Sequence, residues 1–249
     1  MKKFTLLLLM MGLIMTSCKK TNSEDETDDN QDLTGLIKSI NMGGTPILEF
    51  SYYGNGKIKS KTIHQQGAQM TIAYEYSDNK LSSQTEKYNG STVAQYTFTY
   101  NNNRLTRVTI VGANNSYWEM QYDNDGKIIL AIEYISGGQS IKHAFTYNSD
   151  NLIEAFKYNR FGSTWELQSH MEFAYDNKHN PFFDLNLPYS EVLDEFAGLV
   201  SPNNFTRVKK YDQNNILTED TQYDMTYNAE GYPTHVVENS QDSYDYIYY

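Results

Sequence analysis

The chain has 249 residues, of which 22 are Tyr, 11 Phe and 2 Trp, and its 20 Lys and Arg stand against 31 Asp and Glu for a formal net charge of −11. A surface that neutralises phosphates needs a basic excess, so nucleic acid is excluded as a partner class. Tyr suits half-buried pleated surfaces and Asn, present 24 times, suits tight turns, so the composition points to a β domain rich in hairpins and long enough to bury a single core.

Residues 1–17 read as a secretory signal peptide: Lys2 and Lys3 form a basic start, Phe4 to Met15 an apolar run, and Thr16-Ser17 the small residues before a cleavage point. The run is too short to span a bilayer as a helix. The stretch Met15-Thr16-Ser17-Cys18 resembles the lipobox of bacterial lipoproteins, which implies that Cys18 is lipidated and becomes the new N-terminus. Cys18 is the sole cysteine, so no disulfide forms within the chain. Acyl chains contribute about 0.8 kcal/mol per buried methylene, so a multiply acylated cysteine holds a protein on a membrane without a spanning segment. Residues 18–32 are polar and include Glu24, Asp25, Glu26, Asp28, Asp29 and Asp32, the composition of a disordered tether. Ser23-Glu24-Asp25-Glu26 resembles the acidic export signal of Bacteroidota surface lipoproteins, which implies an outer-membrane, lipid-anchored, outward-facing location; a solvated spacer with no address is the alternative.

Residues 33–249 form the folded domain. From Phe50 onward a unit recurs: an aromatic residue or Met, any residue, Tyr, an Asn/Asp/Gly cluster, then Lys or Arg followed by Ile or Leu. Copies are anchored at Tyr52, Tyr76, Tyr100, Tyr122, Tyr147 and Tyr175, with looser ones at Tyr211 and Tyr227, and the first three tyrosines stand 24 residues apart. Met70, Ile72, Tyr74 and Tyr76 share one face of an alternating segment, as do Tyr96, Phe98 and Tyr100, and Trp118, Met120 and Tyr122. Each unit is therefore a strand, a short turn and a strand, and the whole predicts an up-and-down antiparallel meander of about 15–16 strands. Closing the meander removes its two unpaired edges, with Tyr244 to Tyr249 as a last strand against Leu36 to Ile40; an open or two-layered sheet is the alternative. One insertion, residues 180–204, breaks the pattern. Within it Val192, Leu193, Phe196, Leu199 and Val200 fall at helical spacing, predicting a short helix that plugs one end of the sheet or lies over a cavity as a lid.

The repeated aromatic-x-Tyr-Asx unit resembles the tyrosine-aspartate repeats of Rhs-type shells. Taken with the lipobox and the interruption Tyr175-Asp176-Asn177-Lys178-His179-Asn180-Pro181-Phe182, the chain resembles Bacteroidota lipoproteins of unknown function whose domain is a porin-like barrel. The resemblance covers about residues 33–249 and implies a fold but no activity.

The chemistry-bearing residues form no motif. His64, His143, His170, His179 and His235 are scattered at spacings that suit no zinc site, and neither a nucleophile elbow nor a phosphate-binding loop occurs. His143, beside Phe145 and Tyr147, reads as a wall residue. Asp123-Asn124-Asp125-Gly126 lacks the closing acidic ligand of a calcium loop and reads as a turn. No cofactor or metal is expected, and the chain is read as a non-enzyme. The leading reading is a membrane-anchored binding module for a glycan, peptide or partner protein, with Trp118, Trp165, Phe182 and Phe183 as candidate ligand-contact aromatics. The alternatives are a cell-envelope hydrolase with its site under the 180–204 insertion, and an integral outer-membrane barrel, which recurrent Lys and Glu, short turns and an existing lipid anchor weigh against.

Overall fold

A computed structural model describes residues 33–65, 67–112, 115–183, 185 and 201–249. Sixteen antiparallel strands follow one another around a closed barrel: β1 (Ile37–Met42), β2 (Thr45–Tyr52), β3 (Ile58–Gln65), β4 (Ala68–Ser77), β5 (Lys80–Tyr88), β6 (Ser91–Asn101), β7 (Arg104–Val111), β8 (Ser116–Tyr122), β9 (Ile128–Ile135), β10 (Gly138–Asn148), β11 (Asn151–Phe161), β12 (Thr164–His179), β13 (Asn203–Asp212), β14 (Leu217–Tyr227), β15 (Pro233–Glu238) and β16 (Asp242–Tyr248). Closure is by the expected pair, with Ile37 opposite Tyr248 and Ile40 opposite Tyr246. The Tyr249 amide adds a bond to the Leu36 carbonyl at 3.0 Å. Among the described residues there is no helix, and the helical stripe expected from Val192 to Val200 lies outside them.

The alternating residues point where the sequence pattern places them. Phe50, Ile72, Tyr74, Phe98, Val108, Trp118, Met120, Phe145, Phe173 and Val208 are buried on the inward face, so the core is the barrel interior. The core fills the half of the barrel nearer the signature tyrosines. Toward the far rim the inward positions become polar and more exposed, as at Lys157 and Glu219.

Each part of the repeat has a structural task. Register slips by one residue just before Tyr52, Tyr76, Tyr100, Tyr122, Tyr147 and Tyr227, leaving a bulge on the returning strand. Where the bulged residue is Ser82, Thr106 or Thr234, its hydroxyl donates back to the carbonyl of Glu75, Thr99 or Thr226 at 3.0, 3.1 and 3.3 Å, satisfying a group that the slipped ladder would strand. The tyrosine hydroxyl reaches the preceding strand: Tyr52 donates to the Ile37 carbonyl at 2.6 Å, Tyr122 to Leu105 at 2.5 Å, Tyr147 to Ile128 at 3.1 Å and Tyr175 to Leu152 at 2.6 Å. The basic residue reaches the following unit. Lys57, Lys80, Arg104 and Lys127 lie over the rings of Tyr76, Tyr100, Tyr122 and Tyr147, 4.9 to 5.8 Å from their centroids. The repeat is thus a rim of interlocked cations and rings, with turns closed by Asx side chains such as Asp123, whose carboxylate accepts the Lys127 amide at 2.8 Å.

One copy sits elsewhere. Tyr211 opens a turn at the far rim and points outward, because the Asp212 carboxylate accepting from the Asn214 and Ile216 amides at 2.9 Å makes the same local turn whichever way the strand runs. The Tyr211 copy therefore shares the turn chemistry of the repeat, but its hydroxyl donates to the Glu172 carboxylate of β12 at 2.9 Å rather than to a backbone carbonyl.

At the tyrosine rim, the start of the insertion is tied down by polar contacts. Asn180 donates to the Ser201 carbonyl at 2.8 Å, the Ser201 hydroxyl donates to the Tyr175 hydroxyl at 3.0 Å, and the Tyr227 hydroxyl bonds to Asp176. Phe182 then turns inward against Phe50 of β2 and Tyr246 of β16, at centroid distances of 6.0 and 6.1 Å. The segment thus reaches across the barrel end from β12.

Candidate binding face on the outer wall

Residues directly opposite each other on paired strands share a face, so the register maps the outer wall row by row. From β14 round through β1 to β6 that wall is largely polar, with Ile247 of β16 as an exposed apolar residue among polar neighbours. It presents Ser51 hydrogen-bonded to Ser60 at 2.7 Å, Thr62 beside Thr71, and His235 paired with Asp245 at 2.7 Å, while Arg207 of β13 pairs with Asp220. These pairs sit where a lipid-facing barrel carries an apolar band.

From β8 to β12 the outer wall changes character. One row runs Glu119, Ile132, Lys142, Tyr158, Leu167, with Arg107 of β7 beside Glu119. On its far-rim side lie Tyr117, Tyr134 and Gln139, followed by Arg160 and Trp165; on its other side lie Leu130, Ala144, Phe156, His170 and, on β13, Tyr211. The Tyr117 and Tyr134 rings stack at 4.8 Å and 7° from parallel. Arg107 lies over Tyr117 at 4.4 Å and bonds Glu119 at 2.5 Å. Lys142 lies 4.1 Å from the Tyr158 ring and 5.0 Å from that of Trp165, and Arg160 lies 5.1 Å from the same Trp165 ring. His170 is buried in a stack, 5.3 Å from Phe156 and 4.4 Å from Tyr211, and its Nδ1 has no hydrogen-bond partner. Partial burial, and secondarily the charge of Arg160, holds the Lys142 ammonium below its ordinary pKa.

The sequence candidates are placed as follows. Trp165 belongs to this wall, and Phe183 is 45% exposed at the tyrosine rim. Trp118 and Phe182 are core residues, 7% and 8% exposed, and offer no ring face to a ligand outside the barrel. Cys18 lies outside the described residues. His143 is the wall residue the sequence suggests: it is buried facing inward, 5.4 Å from Trp118, and burial, with the charge of Lys157 adding to it, lowers its pKa to about 4. Sequence reasoning missed Tyr117, Tyr134, Tyr158, Lys142 and Arg160. The signal for them was the loss of alternation in Ile128–Ile135, which reads IILAIEYI and is apolar on both faces.

Other chemistry is dispersed. Among the described residues no three His, Cys, Asp or Glu side chains gather as a metal site. An open depression of about 460 Å³ lies along β12 to β14 beside Arg207, Gln222 and Asp224, but its guanidinium is committed to Asp220.

No protein-family model matches the chain, and no curated protein matches it. Among solved structures it is similar to a porin-like protein from Bacteroides uniformis, with a TM-score of 0.49 and 14% identity over 81% of this chain and 89% of that one. It is also similar to a porin-like protein from Bacteroides vulgatus, with a TM-score of 0.42 and 12% identity over 86% of this chain and 99% of that one. A third similarity is to the TcdB2-TccC3-Cdc42 structure, with a TM-score of 0.32 and 9% identity over 81% of this chain and 13% of that chain.

Proposed function

We propose that this protein is a non-catalytic glycan-binding module, held at the outer surface of the outer membrane by lipid on Cys18 and set off from it by the acidic tether of residues 18–32. The anchor reading is supported by the lipobox-like stretch Met15 to Cys18. The binding reading is carried by one observation: half-buried aromatic rings lie along the outward face of β8 to β12, while the wall from β14 through β1 to β6 presents hydroxyls, amides and ion pairs. Flat ring faces pack against the apolar faces of sugars, and the rigid strands hold them without an ordering cost on binding. Strands lie about 4.8 Å apart, so Tyr134 on β9 and Trp165 on β12 stand roughly 14 Å apart across the wall, a span for a short oligosaccharide rather than a single sugar.

The test is electrophoresis of the full chain, in mild non-ionic detergent, through gels containing individual polysaccharides, followed by calorimetry on those that retard it. Retardation that weakens in Trp165→Ala and Tyr134→Ala supports the reading. Retardation by none of the polysaccharides, or equal retardation of both variants, overturns it, and release of reducing ends favours the hydrolase instead.

A further inference from the structure

We infer that the glycan held by this wall is acidic, its carboxylate or sulfate groups bound by Lys142 and Arg160; the inference rests on the glycan-binding reading above. In a chain of net charge −11, the outward rows containing Tyr117, Tyr158 and Trp165 carry three cations, Arg107, Lys142 and Arg160, against one carboxylate, Glu119. Arg107 already bonds that carboxylate. Lys142 and Arg160 have no ion pair with any described carboxylate: the Lys142 ammonium lies over the Tyr158 and Trp165 rings, and Arg160 donates its Nε to the Gly162 carbonyl at 3.0 Å and covers Trp165.

Two like charges lie over one indole with no anion between them. Partial burial makes Lys142 costly to keep charged, and repulsion from Arg160 adds to that cost, both holding its pKa below the ordinary value. An anion placed between them relieves both effects, and the remaining guanidinium N–H groups of Arg160 suit a two-oxygen group such as a carboxylate or sulfate. The Tyr134 ring, stacked by one face on Tyr117, lies within the same oligosaccharide span and takes a neighbouring sugar on its other face. A neutral glycan leaves the two cations as they are.

Calorimetry on the full chain compares polygalacturonate with a neutral galactan. The expected result is binding of polygalacturonate that weakens with added salt, and about tenfold weaker binding in each of Lys142→Gln and Arg160→Gln, the loss of one charge-assisted contact. Arg160→Lys, which keeps the charge and loses the fork, recovers part of the loss. Both side chains point away from the core, so unchanged melting of the variants checks that the wall is intact. Equal binding of the two polymers, or binding of the galactan alone, overturns the acidic assignment and leaves the glycan reading standing. Binding of neither overturns the acidic assignment, and together with retardation by none of the polysaccharides in the gels it overturns the glycan reading as well. Binding to phosphatidylglycerol vesicles through the same two cations, with no polysaccharide bound, also overturns it, in favour of a membrane-docking face.

Discussion

Replacing Tyr122 by Phe isolates the bond that joins one repeat to the next. The ring stays in place against the core and under Arg104, whose guanidinium lies 5.4 Å from the centroid, and only the hydroxyl bond to the Leu105 carbonyl, 2.5 Å long, is removed. The carbonyl sits one residue before a bulge, so the ladder offers it no easy substitute. Losing the partner of a part-buried acceptor costs about 1–2 kcal/mol. Tyr122→Ala also removes the ring and leaves a gap, at about 3–5 kcal/mol. Tyr117→Phe is the control: its ring faces outward and its hydroxyl makes no hydrogen bond among the described residues, so its effect stays within about 0.5 kcal/mol. Urea unfolding followed by tyrosine fluorescence ranks the three. If Tyr122→Phe is as stable as the parent, the hydroxyl is not what couples the repeats; if it costs as much as Tyr122→Ala, something other than this bond has been disturbed.

His143 is buried with a folded pKa of about 4 against an ordinary value near 6.5, so below that ordinary value the unfolded chain takes up a proton that the fold refuses. Stability contributed by this site is lost as the pH falls from about 6.5 to about 4, by roughly 3 kcal/mol in total, and urea titrations in His143→Gln lack that slope. Tyr76, Tyr175 and Tyr244 are pushed up to about 12 mainly by burial, so the fold holds them protonated and weakens as the pH climbs from 10 toward 12. An ultraviolet tyrosine titration therefore shows a late class that ionises together with unfolding, and a single class near 10 contradicts this. Gly126→Ala places a side chain at φ +88° with its Cβ 3.4 Å from the Arg104 guanidinium, and costs about 1–2 kcal/mol in the same urea assay; a neutral result contradicts the turn geometry.

Much of the barrel was legible because its determinants are local. The alternation around Tyr74, Phe98 and Met120 names the inward face, and Asx clusters at positive φ, such as Asn102 at 48° and Asn103 at 65°, name the turns. Strand number and closure follow from repeating that unit. The Tyr211 copy shows the limit of local reading, since an Asp-anchored turn forms at either rim and only the direction of the strand decides which. The aromatic outer wall is harder to see in the sequence. Trp165 stands alone in the sequence, because Lys142, which lies over its ring, and Tyr134, farther along the same wall, are 23 and 31 positions away and come onto its face only through the register of four strands. Conversely, Trp118 and Phe182 looked equally available because residue type alone does not reveal that one faces the interior and the other folds across the barrel end.

We propose the aromatic outer wall of β8 to β12 as the binding face, and Trp165 reports on it directly. The chain has two tryptophans, and Trp118 is 7% exposed, so acrylamide quenching of the intact chain reads chiefly Trp165. With polygalacturonate added at a concentration that saturates the parent chain, quenching of Trp165 is expected to fall sharply, and the fall to disappear in Lys142→Gln/Arg160→Gln. Tight binding with quenching unchanged would contradict it, because the ligand would then sit on another face of the barrel.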